Sequence, residues 1–135
     1  MEKEKININL KKFIKIKRGI NGLGLFTDID IKKGEFIIEY WGDIISEKEA
    51  NVRGGKYLFQ TSSNRHVDGS TRQNIARYVN HSCRPNCETE IKRGQIFISS
   101  IKNIKKGEEL FYDYGKEYWN EHIKPKGCNC PKCKK

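Results

Sequence analysis

Chemistry is concentrated in a few stretches of this 135-residue chain. Asn80 and His81 open the run Asn80-His81-Ser82-Cys83-Arg84-Pro85-Asn86, which follows Arg77-Tyr78-Val79. An Asn side chain both donates and accepts, so it suits the ammonium and carboxylate of an amino-acid-like ligand. Further on, Glu109-Leu110-Phe111-Tyr112-Asp113-Tyr114 ends in two alternating tyrosines. A phenol with a pKa of about 10 stays protonated at neutral pH, so it orients a reacting group better than it removes a proton. Near the end, Cys128, Cys130 and Cys133 bring three thiols together, with Cys83 and Cys87 upstream. Thiolates spaced this closely suit a tetrahedral metal ion such as zinc. The cysteines number five, and no apolar leader follows Met1, so a disulfide framework fits poorly and a metal site fits better. Asn21-Gly22-Leu23-Gly24-Leu25-Phe26 lets backbone approach a ligand closely, although taken alone it is better explained as an ordinary glycine turn. It is no dinucleotide fingerprint, because the next segment reads as strand rather than helix.

The elements that must position these groups are short and mostly extended. Leu10, Phe13, Ile14 and Ile16 begin a strand-like pattern, and Gly19, Gly22 and Gly24 are expected to interrupt regular structure. A Lys32-Lys33-Gly34 turn feeds Glu35 to Tyr40. Ser46 followed by Glu49 matches a capping box and predicts a short helix from Glu47 to Val52. Tyr57-Leu58-Phe59 and His66-Val67-Asp68 read as strands around a polar turn, and Asn74 to Val79 as one helical turn. Glu88 to Lys92 and Gln95 to Ile101 read as a hairpin about Arg93-Gly94. Ile31 to Glu35 recurs as Ile104 to Glu108, two copies of one Lys-Gly turn. His66, Asp68, Arg72 and Asn74 read as a polar turn and a conformational anchor, with no chemistry assigned. The fold class is mainly β, built from several small sheets.

Taken in order, these motifs resemble the SET-domain lysine methyltransferases with a cysteine-rich post-SET tail, from Asn9 to Cys133. The resemblance implies a frayed segment at 1–8, a SET domain at 9–118 and a post-SET zinc-binding tail at 119–135. It implies a C-terminal segment threaded beneath an earlier loop in a knot-like arrangement, an exception to the usual rule against knots. It implies binding of S-adenosylmethionine by Asn21, Gly22, Leu23, Gly24, Tyr57, Arg77, Asn80 and His81. Tyr114 and Tyr112 become the catalytic pair, with Tyr57, Tyr112 and Trp119 lining the lysine channel and Tyr118 beside them. Tyr112, where the family carries Phe or Tyr, implies mono- or dimethylation. Cys83, Cys128, Cys130 and Cys133 would hold one structural zinc ion, across a shorter gap between Cys130 and Cys133 than related tails carry. Cys87 is left as a spare thiol, with a minor reading as a ligand.

Bulk properties bound the rest. Hydrophobic content of 36% and a mean hydropathy of -0.80 are low for a folded domain, but Ile-rich strands and aromatics argue against disorder. No apolar run approaches the roughly 18 residues of a membrane span, so an intracellular, reducing compartment is expected, nucleus or host chromatin included. A formal charge of +10 suits an acidic partner such as nucleosomal DNA, or simply solubility. The acceptor class implied is a lysine on an extended peptide, a histone tail first and a non-histone protein second. Glu35, Glu39, Asp43, Glu47 and Glu49 are a candidate acidic edge for a basic tail. A short chain of this kind also suggests a homodimer or partner chain. The competing reading is a small basic zinc-binding module that contacts nucleic acid.

Overall fold

The computed structural model describes residues 10–19 and 22–115. The expected segment 1–8 and tail 119–135 lie outside the described residues. A 3-10 turn at Leu10–Phe13 leads into β1 (Ile14–Gly19), which pairs antiparallel with β2 (Gly22–Thr27) from Ile14↔Thr27 to Gly19↔Gly22. Gly19 thus closes β1 and Gly22 opens β2, where a break was expected, while Gly24 lies inside β2 rather than interrupting it. Gly22 adopts φ +90°, a conformation that an L side chain rarely tolerates.

Two three-stranded sheets follow. β3 (Phe36–Tyr40), β9 (Gln95–Ser100) and β8 (Cys87–Lys92) form one, in that spatial order. β4 (Asp43–Ile45), β6 (Arg65–Asp68) and β5 (Leu58–Ser62) form the other. The β8–β9 link places Arg93 at φ 53° and Gly94 at φ 79°, the paired positive angles that match hairpin twist. Between β4 and β5, α1 (Glu47–Arg53) is capped by the Ser46 Oγ, which accepts from the Glu49 N–H at 3.1 Å. The reciprocal half of the expected box gives way to an ion pair, because the Glu49 carboxylate accepts from Arg53 Nε at 2.8 Å.

Isoleucine fills the centre. Leu25, Ile31, Ile37, Ile96, Ile98, Ile104 and Leu110 are all fully buried and join the hairpin, the β3–β9–β8 sheet and the C-terminal segment. Each contributes roughly 1.5–3 kcal/mol of transfer free energy, which is what lets so polar a chain fold. The fully buried Asn74 side chain is paired at both ends. Asn74 donates to Gly69 O at 3.0 Å and accepts from Trp41 N–H at 3.3 Å, the anchor expected of it. A second 3-10 turn at Ile75–Tyr78 delivers the chain to β7 (Asn80–His81), which pairs in parallel with β10 (Phe111–Tyr112). No described helix is long and apolar enough to cross a membrane.

Candidate functional site

Three segments distant in sequence converge here: the β1–β2 hairpin, β7 with the loop after it, and residues 109–114. Parallel pairing sets Phe111 against Asn80 and Tyr112 against His81, and Ser82 N–H donates to Tyr112 O at 3.1 Å. Asn86 extends this grip. Its Oδ1 accepts from Phe111 N–H and its Nδ2 donates to Glu109 O, both at 2.9 Å. One amide thus takes the place of a strand neighbour on either side of Leu110. The sequence marked Asn86 only as part of a motif, and this clamp was not foreseen.

Asn80 is half-buried and aimed at the hairpin. Its Nδ2 donates to Leu23 O at 3.0 Å and to Glu109 Oε2 at 2.9 Å. A carbonyl oxygen can only accept, so the amide orientation is fixed by chemistry. Both amide hydrogens are committed, so further hydrogen bonds of this side chain fall to Oδ1, an acceptor. Glu109 was overlooked as a site residue in its own right. Burial raises its carboxyl above the ordinary range, and the Asn80 hydrogen bond draws it partly back.

The second cluster is aromatic. Tyr112 is buried, Tyr114 half-buried, and their rings lie 5.2 Å apart at 56°. The Tyr114 hydroxyl donates to Val79 O at 2.5 Å, and its ring sits 5.4 Å from that of His81. His81 Nδ1 accepts from Tyr114 N–H at 3.1 Å, which requires a neutral ring with its hydrogen on Nε2. Burial lowers the His81 pKa, outweighing the opposite pull of Asp113, so the neutral ring is the favoured one. The His81 side chain is therefore a support for the tyrosine strand.

Tyr57 and Arg77 form a separate pair. The Arg77 guanidinium stacks 4.4 Å from the Tyr57 ring and 5.1 Å from that of Tyr78, and donates to Ser70 O. Tyr57 O accepts from Tyr40 OH at 2.6 Å. Arg77 thus anchors Tyr57 onto the turn that precedes Asn80.

Of the candidate zinc ligands, Cys83 is described. It is half-exposed, with Sγ 3.4 Å from His81 Nε2. Cys128, Cys130 and Cys133 lie outside the described residues, as do Asn21, Tyr118 and Trp119. Among the described residues no group of three His, Cys, Asp or Glu side chains could hold a metal. Cys87 is buried, and burial pushes its thiol up to about 12, which disfavours the thiolate a metal needs. The candidate acidic edge is largely engaged within the protein. Arg53 bonds Glu49 and Asp68 at 2.8 and 2.9 Å and approaches Asp43 at 3.4 Å, while Gln95 donates to Glu39 at 3.2 Å.

A family model described as the SET domain matches residues 22–115. The chain is similar to the histone-lysine N-methyltransferase trr of Drosophila melanogaster, 40% identical over 129 residues, covering 86% of this chain and 5% of that protein. It is 38% identical over 129 residues to histone-lysine N-methyltransferase 2D of Homo sapiens, covering 86% of this chain and 2% of that one. With the histone-lysine N-methyltransferase, H3 lysine-4 specific, of Emericella nidulans it shares 34% identity over 140 residues, 92% of this chain and 12% of the other. The chain thus spans a small fraction of the length of these relatives.

Proposed function

The chain belongs to the SET-domain family, and from that premise we propose that it is an S-adenosylmethionine-dependent protein-lysine N-methyltransferase. The leading acceptor is a histone lysine, because the relatives named above carry that activity in their names. The observation that supports the reading most directly is the set of hydrogen bonds and ring contacts that brings Tyr114, Tyr112, Asn80 and the glycine hairpin together.

S-adenosylmethionine supplies an electrophilic methyl group on a sulfonium. Residues of the chain then align, exclude water and receive a neutral amine. Asn80 Oδ1 and the backbone of Gly22 to Gly24 would hold the amino-acid end of the cofactor. The Tyr114 hydroxyl donates its hydrogen bond to Val79 O, which directs its lone pairs outward. It is an orienting acceptor near the reacting centre and not a base. Free lysine, with a pKa of about 10.4, is neutral in fewer than about one molecule in a thousand at pH 7. Burial against Tyr112 and Tyr114 favours the neutral amine, since desolvation penalises charge. Tyr112 occupies space and offers a hydroxyl beside that amine, which favours mono- or dimethylation.

The same reading gives Cys83, Cys128, Cys130 and Cys133 to one structural zinc ion. The half-exposed Cys83 thiol fits that assignment and the buried Cys87 thiol does not. A zinc there would pin the tail across the Asn80–Cys83 loop and close the channel with Trp119. A histone acceptor would put the protein at chromatin, where a net charge of +10 would suit contact with nucleosomal DNA.

Labelled S-adenosylmethionine, core histones, whole-cell protein and added zinc test the reading, with Tyr114→Phe as control. Label on one protein, lost in the variant, is the expected result. Absence of both label and cofactor binding would overturn it and favour a basic zinc module on nucleic acid.

A further inference from the structure

We propose that Glu109 is a positioning residue that fixes which end of the cofactor's amino-acid group Asn80 receives. This rests on the methyltransferase reading above and adds to it a residue, an orientation and a reason for two glycines.

The starting observation is a carboxylate in an unusual place. Glu109 is half-buried, and among the described residues it pairs with no cation. Its side-chain hydrogen-bond partner is the Asn80 amide at 2.9 Å. Burying a carboxylate with so little compensation is unfavourable.

The hairpin is shaped around this group. A Cβ on Gly24 would lie 2.1 Å from Glu109 Oε2, and one on Gly19 would lie 2.8 Å from Oε1. Neither glycine has a positive φ, so backbone conformation does not account for them. Space does. Gly19 and Gly24 are seats for the two carboxylate oxygens.

The consequence falls on Asn80. An Asn side chain could meet the ligand's carboxylate with its NH2 or the ligand's ammonium with its oxygen. Here one amide hydrogen goes to Leu23 O and the other to Glu109 Oε2. Only the acceptor Oδ1 is left to face a ligand. The adjacent negative charge reinforces that choice, attracting an ammonium and repelling a carboxylate. Glu109 thus selects ammonium-first docking of the amino-acid end without itself being a catalytic residue.

The test uses two probes, S-adenosylhomocysteine and 5′-methylthioadenosine. Both carry the adenosine thioether, but the second lacks the amino-acid end. Dissociation constants are measured by calorimetry, directly and by competition, for the full chain and for Glu109→Ala, Glu109→Gln and Gly24→Ala. The S-adenosylhomocysteine constant should rise about tenfold or more in Glu109→Ala and Gly24→Ala, the scale of a lost hydrogen bond to a charged group. The 5′-methylthioadenosine constant should stay within about twofold. Glu109→Gln keeps size and an acceptor oxygen, so it guards against misfolding and should show a smaller rise, again confined to S-adenosylhomocysteine. Equal weakening of both probes in Glu109→Gln would mean a merely structural role and overturn the proposal. So would unchanged binding of both in Glu109→Ala. A parent chain that binds neither probe would overturn the methyltransferase reading itself, an outcome visible before any variant is made.

Discussion

The turns at Ile31–Glu35 and Ile104–Glu108 share five residues in a row and the same hydrogen bonds, yet lead to opposite destinations. Ile31 and Ile104 exchange both backbone hydrogen bonds at 2.8 Å. The Lys33 N–H donates to Asn103 Oδ1, and the Lys106 N–H to Asp30 Oδ1. Lys32 N–H reaches Glu35 Oε1 and Lys105 N–H reaches Glu108 Oε1. Gly34 N–H bonds Ser100 O while Ser100 N–H returns to Glu35 O, and Gly107 and Glu108 repeat that exchange with Thr27. The result is a local two-fold pairing within one chain. Past the glycine the copies part. The first continues with Phe36, which is 52% exposed, into the edge strand of a sheet. The second continues with Glu109, seated in the glycine cradle, and then Tyr112 and Tyr114. A five-residue motif fixes a turn, and the next residues decide whether that turn supports a sheet or a site.

The largest expected effect lies at the end of the second exit. Tyr114→Phe removes the hydroxyl that bonds Val79 O. Methyl transfer should fall roughly a hundredfold or more, as when a positioned polar group is removed from a reacting centre, with cofactor affinity little changed. Trp41 stands after Ile31 where Tyr114 stands after Ile104. Trp41→Phe should leave turnover within about twofold, as expected for a surface change away from the site. If both variants lost activity alike in a steady-state assay, the contrast between the two exits would break.

A change in product rather than rate comes next. Tyr112→Phe, which takes a hydroxyl from the buried neighbour of Tyr114, should shift products from mono- and dimethyl-lysine towards trimethyl-lysine. Mass spectrometry of a modified peptide reads this directly, and an unchanged distribution would falsify the proposed role.

The turns themselves are tested by Gly34→Ala and Gly107→Ala. Both glycines sit near φ +90° with open space where a Cβ would go, so strain alone is added. Each should cost about 1 kcal/mol and lower Tm by a few degrees, to the same extent. Only Gly107→Ala should also raise the KM for the cofactor, because its exit carries Glu109. Matched melting curves with different KM values would sharpen the comparison.

These contrasts mark what the chain discloses in advance. The helix at Glu47, the Arg93-Gly94 hairpin and the repeated turn were legible because their causes lie within a few residues: a capping hydroxyl, two positive φ angles, a glycine. The motif residues of β7 and β10 were legible as a resemblance. What joins them was not. Leu23, Asn80 and Glu109 are brought together by tertiary packing, and no local pattern announces a bond between them. Gly19 and Gly24 make the same point. In sequence they look like breaks, but a Cβ on either would also meet the carboxylate of Glu109, a side chain that arrives from much further along.

The smallest expected effect separates the function of Glu109 from its stability. Burial raises its carboxyl above the ordinary range. A raised folded-state pKa means that the charged form is the disfavoured one in the fold. The associated stability is present below the unfolded value of about 4.3 and is lost as pH rises through the folded value. At neutral pH the carboxylate is therefore a burden on the fold, and Glu109→Gln should raise Tm by about a degree or two at pH 7, with no gain near pH 4. Phe36, at the same place after the first turn, carries no such burden. Thermal melts at the two pH values check this. A lower Tm for Glu109→Gln at pH 7 would mean that the charge is held for structure. A higher Tm together with weaker S-adenosylhomocysteine binding would mean that it is held against the interest of the fold, for the ligand.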